Sequence, residues 1–187
     1  MIEQRFSARR CRDTRKPREN ECPDVKFYRC MECGALFPVT GGKEEKEIQI
    51  NCCGKAVEQL ISADAREKEN LIKVFYQIIG GFNDNAVKVA WKTDSPKNKP
   101  EWIYLKTFTG GYLKYIKDMK QSPVVFALAD TDAFAYCDEN PCLECVFRCK
   151  RGFIIYVYEK RAGLLELPLD KMNAHWQSAV KNKETFF

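Results

Sequence analysis

The spacing of four cysteines constrains this chain more than any other feature of its sequence. Cys30 and Cys33 are separated by two residues in "FYRCMECGALF", and Cys52 and Cys53 are adjacent in "NCCGKAVEQL". The N-terminal stretch has no apolar run of signal-peptide length, and no segment approaches the roughly 18 apolar residues of a membrane span. We therefore expect a cytoplasmic protein with no membrane segment. In that environment thiols stay reduced, so clustered cysteines are interpreted as metal ligands in preference to disulfides.

The two cysteine pairs have the spacing of a four-thiolate metal site. A CxxC turn presents two sulfurs to one ion, and a second pair on a neighbouring strand completes a tetrahedron with metal–sulfur distances of about 2.3 Å. Adjacent cysteines on a regular strand point to opposite sides, so Cys52 and Cys53 are expected in a distorted turn that Gly54 permits. Zinc and iron suit four thiolates about equally, and two ligand-free dithiols are the alternative.

The segment that carries these cysteines is too small to bury a core of its own. Residues 26–62 alternate short apolar stretches with turn residues, and we expect a metal ion to staple them. Histidine occurs once in the chain, at His175, which excludes a site built from several imidazoles of one chain. Residues 26–62 are therefore predicted to form a four-cysteine metal module.

The positive charge of the chain is concentrated at its N-terminus. Residues 1–20 contain seven basic and three acidic residues, a net charge of +4, which leaves +1 of the total +5 for all other residues. A basic arm can follow nucleic acid, but Phe6 is its only aromatic residue, so we favour a solvated tail over residues 1–25. Cys11 and Cys22 show no metal spacing, and the sequence gives no role for them.

From Leu71 onward the sequence predicts strand after strand. Eight short segments rich in β-branched and aromatic residues are separated by Gly, Pro, Asn or Asp, which favours an antiparallel β-sandwich over residues 63–170. An α+β domain is the alternative, but no helical pattern precedes residue 170. The predicted strands are "LIKVFYQII", "NAVKVAW", "EWIYLKTF", "GYLKYIK", "PVVFALA", "DAFAYC", "GFIIYVYEK" and "LLELPL". Residues 171–187 are predicted to form a tail with one terminal helix.

Several of these segments together resemble the desulfoferrodoxins, the superoxide reductase family of two-domain non-haem iron proteins from anaerobes. "YRCMECG" and the later "CCG" resemble the family's desulforedoxin-type module, and "AREKE", "EWIYLKT" and "AFAYC" resemble segments of its second domain, so that the likeness covers about residues 26–150. The resemblance implies a mainly β fold: a small rubredoxin-like metal module followed by an immunoglobulin-like sandwich. It also implies a homodimer and a rubredoxin-like iron centre held by Cys30, Cys33, Cys52 and Cys53.

The second iron centre of the family does not survive in this sequence. In the family it is held by four histidines and one cysteine and reduces superoxide. The family's Glu-Lys-His falls on Glu67, Lys68 and Glu69, or on Asn70 with a shift of one residue. Its remaining ligand positions fall on Lys92, Asn98, Cys137 and Asn140. One ligand of five is kept, so Glu67 and Lys68 are catalytic residues by resemblance only, and Lys68 is most simply a solvated surface lysine.

A second set of cysteines lies in the loop where the family keeps its ligand. Cys137, Cys142, Cys145 and Cys149 occur within "YCDENPCLECVFRCK". Their spacing is compatible with a second four-thiolate zinc site or with an iron–sulfur cluster, although it matches no iron–sulfur signature in full. Scattered reduced cysteines, some of them in the core near Phe147, are the alternative.

These observations leave three classes of function open. The leading hypothesis is a desulfoferrodoxin-like electron-transport protein that transfers one electron through the four-cysteine iron centre and has lost the superoxide-reducing site. The second is a divergent superoxide reductase, an oxidoreductase acting on superoxide. The third is a zinc-stapled interaction protein without redox activity. The sequence identifies no redox partner and does not favour nucleic acid as a ligand.

Overall fold

The computed structural model describes residues 24–41, 48–79, 86–95, 97–116, 122–133, 150 and 152–169. The predictions for the basic arm before Asp24 and for the C-terminal tail lie outside these ranges. Strand β1 begins at Val25, one position inside the segment assigned to the arm. Among the helices of the described ranges, none has the length and apolar character needed to cross a membrane.

The regular secondary structure of the described ranges is almost entirely β-strand, as predicted. They are β1 Val25–Arg29, β2 Leu36–Thr40, β3 Asn51–Cys52, β4 Lys55–Ala56, β5 Glu58–Leu60, β6 Ser62–Asp64, β7 Ile72–Ile79, β8 Ala86–Thr93, β9 Trp102–Lys106, β10 Gly111–Tyr115, β11 Val124–Ala127, β12 Ile154–Glu159 and β13 Gly163–Pro168. The rest is turns, a short 3-10 helix at Ala65–Lys68 and a single helical turn at Asp130–Ala133. The mainly β prediction is confirmed.

Strands β6 to β13 form a sandwich of two sheets. One sheet has the order β10-β9-β12-β13-β6 and the other has the order β11-β8-β7. Apolar side chains alternate along β7, where Ile72, Val74, Tyr76 and Ile78 are buried, as a strand with one face on a core requires. They pack in one hydrophobic cluster with side chains from both sheets.

One strand pair departs from the antiparallel prediction. Strand β6 runs parallel to β13, with Ser62 opposite Leu164, whereas the other described pairs are antiparallel. The Ser62 hydroxyl donates to a carboxylate oxygen of Glu166 over 2.6 Å and reinforces the pairing. Strand β6 arrives from the cysteine-rich segment rather than from a hairpin, so turn geometry does not force it to run antiparallel.

The predicted strand "DAFAYC" is helical where the structure describes it. Asp132 and Ala133 belong to the helical turn Asp130–Ala133. The buried carboxylate of Asp132 accepts hydrogen bonds from the backbone amide of Thr109 over 3.3 Å and from its hydroxyl over 2.7 Å. This tertiary contact fixes the backbone and outweighs the apolar composition of the segment.

A second, smaller sheet lies against the outer face of the sandwich. Strands β2, β1 and β5 pair in that order, and β3 and β4 form a separate hairpin. Phe27, in the middle of β1, lies among aromatic rings of β9 and β12. Its ring centroid is 5.1 Å from Trp102, 5.2 Å from Tyr104 and 5.1 Å from Tyr156. This second hydrophobic cluster joins the cysteine-rich sheet to the sandwich.

Strand β9 is consequently buried on both of its faces. Ile103 and Leu105 point into the sandwich, and Trp102 and Tyr104 pack against the small sheet. All five residues of the strand are buried. An antiparallel strand usually has one solvated face, so continuous burial marks the docking of the small sheet.

Replacing Phe27 with alanine tests whether this contact holds the two parts together. We expect Phe27→Ala to lower the free energy of unfolding by about 3–5 kcal/mol, because it removes a buried ring from a site with little freedom to collapse. Urea denaturation followed by circular dichroism measures the change. Tyr115→Ala, at an exposed position of β10, should stay within about 0.5 kcal/mol of the parent. A loss below about 1 kcal/mol in Phe27→Ala would show that the docking contributes little.

Candidate metal centre

The structure brings Cys30, Cys33, Cys52 and Cys53 together. Their four sulfur atoms lie within 4.8 Å of one another. The Sγ atoms of Cys33 and Cys52 are 3.6 Å apart, and those of Cys52 and Cys53 are 3.9 Å apart. Four sulfurs at about 2.3 Å from a central ion in a tetrahedron are separated by about 3.8 Å. The four residues, which we call the four-cysteine centre, therefore have the spacing of a thiolate metal site.

The first two ligands are presented by a tight turn at the end of β1. The backbone amide of Gly34 donates to the carbonyl of Cys30 over 2.9 Å, and the amide of Cys30 donates to the carbonyl of Ala35 over 2.9 Å. Gly34 has a φ of 75°, a conformation that side chains with a Cβ rarely adopt. The turn of residues 30–34, called the CxxC turn below, is thus closed by its own backbone.

The other two ligands come from the hairpin of β3 and β4. Cys53 and Gly54 occupy its two-residue turn with φ values of 51° and 75°. Two successive left-handed residues are the mark of a type I′ hairpin turn. This backbone allows the sulfurs of Cys52 and Cys53 to approach the same point, although adjacent residues of a regular strand face opposite sides. The predicted distorted turn at the cysteine pair is confirmed.

The thiols of the centre cannot ionise independently. Hydrogen bonds from the backbone amide of Cys33, aided by that of Glu32, outweigh the effect of burial and lower the pKa of Cys30 to about 7. The Cys33 side chain, followed by that of Cys30, raises the pKa of Cys52 to about 12, and it also raises the pKa of Cys53. One thiolate forms readily and the next ones are disfavoured, so a bound cation is what allows all four to be charged.

One side of the centre faces solvent. Cys30 is buried, Cys52 is half-buried, and Cys33 and Cys53 are exposed. Met31, inside the CxxC turn, is 77 % exposed. An ion pair between Lys55 Nζ and Glu32 Oε1, 2.5 Å long, spans the two turns that carry the ligands. A metal held here would have two of its four ligands at exposed positions.

The donor set fits a soft or borderline metal. Four thiolates with no oxygen or nitrogen ligand suit zinc or iron and disfavour magnesium or calcium. Within the ranges that the structure describes, no other group of three or more Cys, His, Asp or Glu side chains is close enough to hold one ion. The four-cysteine centre is therefore the candidate functional site of the described chain.

Some of the positions related by resemblance to a second iron centre lie within the described ranges. Glu67 and Lys68 lie in the 3-10 helix, and Glu69 is its exposed C-terminal neighbour. Lys92 lies on β8 with an exposed side chain. The amide nitrogen of Asn98 donates to Asp94 Oδ1 over 2.7 Å. The other predicted positions, including the whole second cysteine set, lie outside the described residues: Cys137, Asn140, Cys142, Cys145 and Cys149.

Sequence reasoning missed an ion pair that lies directly beside the centre. Arg29, just before the first ligand, forms an ion pair with Glu101 of the sandwich. The two residues are 72 positions apart, so no local pattern links them. The sequence feature that could have pointed to this contact is the run of four apolar residues "WIYL" next to Glu101. A strand without polar alternation is typically covered on both faces, here by another part of the chain.

Removing one sulfur tests the cooperation of the four ligands. We expect Cys33→Ala to lose the metal equivalent of the centre and to increase amide hydrogen exchange in β1 to β5, because metal binding and folding are coupled in small modules. Metal analysis and exchange mass spectrometry measure the two effects. Cys11→Ala, which changes a cysteine of the basic arm with no assigned role, is the matched control. Full metal content in Cys33→Ala would exclude the four-sulfur site.

The pKa shifts predict proton release on metal binding. At pH 8 the thiols of Cys52 and Cys53 are protonated in the metal-free protein, so zinc binding should release at least two protons per ion. Zinc affinity should then rise about a hundredfold per pH unit and fall in the same way on acidification. Calorimetry in buffers of different ionisation enthalpy counts the protons. The measurement uses the variant Cys142→Ser/Cys145→Ser as its parent protein, so that the second cysteine set does not add protons of its own. Release of fewer than two protons per zinc ion would contradict the raised pKa values of Cys52 and Cys53.

Comparison with known proteins gives a fold and no family assignment. No protein-family model matches the sequence, and no curated protein matches it. Among solved structures, the chain is similar to the superoxide reductase from Treponema pallidum, with a TM-score of 0.51 and 16 % sequence identity. The similarity covers 77 % of this chain and 98 % of that chain. At this level of identity, the similarity shows a fold like that of a superoxide reductase.

Proposed function

We propose that this chain is a desulfoferrodoxin-like non-haem iron protein that transfers single electrons through its four-cysteine centre. The observation that carries the proposal is the convergence of four sulfurs within 4.8 Å at a partly exposed position. The all-sulfur donor set admits iron as well as zinc, and the superoxide reductase-like fold supports iron as the ion. Bound iron would supply one-electron chemistry by alternating between its ferric and ferrous states.

The local structure suits electron transfer in two ways. Each pair of ligands belongs to a closed turn of a paired β-hairpin, β1–β2 or β3–β4, which limits ligand movement when the charge of the site changes. Cys33 and Cys53, whose sulfurs would bind the ion, are exposed residues, as is Met31 in the CxxC turn. A partner protein could therefore approach these sulfurs directly. The redox partner itself is not defined by any described contact.

We further propose that the family's superoxide-reducing site is lost. The lysine and asparagine at two ligand positions are poor ligands for ferrous iron. Lys92 would first have to lose its proton, and the side-chain amide of Asn98 already donates to Asp94. Glu69 replaces a histidine at an exposed position. The sandwich core consists of apolar side chains and does not need an iron ion at its surface.

Metal analysis of the anaerobically purified protein, combined with its visible spectrum, tests the proposal. We expect iron bound by the four-cysteine centre and, after oxidation, the strong visible absorption of ferric iron in a thiolate tetrahedron. Cys33→Ala should lose this absorption, and dithionite should bleach it in the parent. A colourless protein that contains zinc alone would overturn the redox proposal and favour the zinc-stapled interaction protein.

Superoxide consumption by the purified protein and its variants tests the superoxide reductase alternative. Rapid superoxide consumption that persists in Cys33→Ala and disappears in Cys137→Ser would identify a divergent superoxide reductase.

We propose that the second cysteine set, Cys137, Cys142, Cys145 and Cys149, binds its own zinc ion or iron–sulfur cluster. Cys142→Ser/Cys145→Ser should then lower the metal content while the spectrum of the four-cysteine centre stays intact, and unchanged metal content would exclude this second site.

A further inference from the structure

Arg29 lies between the four-cysteine centre and the sandwich. It is the last residue of β1 and directly precedes the ligand Cys30. Its side chain is 13 % exposed. The guanidinium carbon lies 4.5 Å from the centroid of the Tyr158 ring on β12, within the range of a cation–π contact. A long cationic side chain held this closely is unlike a solvated surface arginine.

The same guanidinium group lies next to the CxxC turn. A Cβ atom placed on Gly34 would lie 3.7 Å from Arg29 Nη2, so the guanidinium borders the space next to Gly34, the residue that follows Cys33. Arg29 Nη1 donates to Glu101 Oε2. One end of the planar group therefore lies beside the ligand-bearing turn, and the other is bound to the sandwich.

Glu101 is a rigid anchor for this contact. Its backbone amide donates to the carbonyl of Tyr158 over 2.9 Å, and its carbonyl accepts from the amide of Ile116 over 2.8 Å. Lys160 Nζ lies 3.2 Å from the other carboxylate oxygen. Burial alone would raise the pKa of Glu101, but the hydrogen bonds and charges of Arg29 and Lys160 outweigh it and lower the pKa. The carboxylate is thus charged at neutral pH.

We propose that Arg29, held in place by Glu101, is a positioning residue for the metal bound by the four-cysteine centre. The inference rests on the proposed metal-binding function and extends the site into the sandwich. Glu101 fixes the guanidinium, and the guanidinium supports the CxxC turn and places a permanent positive charge beside the thiolates. Groups behind the ligands of metal sites commonly change metal affinity by about 10–100-fold when they are removed.

The positive charge of Arg29 should shift the reduction potential of the centre in one direction, which a purely mechanical support would not do. Four thiolates with a divalent ion carry a net charge of −2, and with a trivalent ion −1. A nearby cation stabilises the more negative state, which is the reduced one. Arg29→Gln should therefore lower the reduction potential of the iron-loaded centre, whereas Arg29→Lys keeps the positive charge and should restore the potential at least in part.

The first experiment measures how firmly the centre holds cobalt, whose thiolate charge-transfer bands report tetrahedral sulfur ligation. The rate of cobalt transfer to a chelator is compared for the full chain, Arg29→Gln, Glu101→Gln and the double variant. We expect about tenfold faster transfer in each single variant. The double variant should be no faster than the faster single one, because both substitutions break the same contact.

Lys160→Met is the matched control. It removes the other ion-pair partner of Glu101, at a side chain that is mostly exposed, and leaves the contact of Arg29 with Glu101 in place. Its cobalt transfer rate should stay within about twofold of the parent, as for other exposed ion pairs of small energetic value. Far-UV circular dichroism of the cobalt-loaded variants shows that they are folded. The nearly isosteric Glu101→Gln keeps the test valid should Arg29→Gln fail to fold.

The outcomes separate this inference from the proposed function. A parent chain that binds no cobalt through thiolates would overturn the metal-binding function and this inference with it. A parent that binds cobalt, with transfer rates and reduction potentials unchanged in Arg29→Gln and Glu101→Gln, would overturn the inference alone. Faster transfer together with an equal potential in Arg29→Gln and Arg29→Lys would reduce Arg29 to a mechanical support and contradict the charge effect.

Discussion

The burial of two neighbouring strands, β9 and β12, on both of their faces organises this protein. The inner faces of β9 and β12 contribute Ile103 and Val157 to the sandwich core, and their outer faces contribute Trp102 and Tyr158 to the contact with the small sheet. The rings of Trp102 and Tyr158 are nearly parallel, with an interplanar angle of 4° and centroids 5.5 Å apart. Phe27 reaches this layer from β1, so the strand that ends at the first cysteine is seated in the same layer.

The packing of β1 against the sandwich reduces the share of the small sheet's order that depends on a bound metal ion. A free-standing module of this size would depend on its ion for folding. Here β1 is also held by its aromatic contacts and by the ion pairs of Arg29 with Glu101 and of Lys106 with Asp24, so a bound ion would add to order that β1 already has. The ion would also gather four sulfurs whose ionisation is mutually unfavourable and hold the hairpin turn that contains Cys53. Strained conformations of this kind persist where a functional group is held in place.

The sequence was informative where the physical constraint is local. Cysteine spacing predicted which sulfurs converge, and short segments rich in β-branched and aromatic residues predicted strands such as β7 and β12. It was uninformative where distant segments decide the outcome. The parallel pairing of β6 with β13 joins residues about a hundred positions apart, and the helical turn at Asp132 depends on a hydrogen bond to Thr109. The positioning of Arg29 by Glu101 belongs to the same group, since neither residue differs in sequence from an ordinary surface charge.

The passage from the small sheet to the sandwich is a single residue long. Strand β5 ends at Leu60 and β6 begins at Ser62, so Ile61 alone connects them. A one-residue connection has no slack, unlike the flexible linkers at which proteins are usually divided or extended. Removing the small sheet would expose the aromatic face of β9 and β12 on the remaining sandwich. An exposed apolar surface of this kind is prone to self-association. The chain is therefore a poor candidate for dissection into separately expressed halves, and for insertion of a reporter at this boundary.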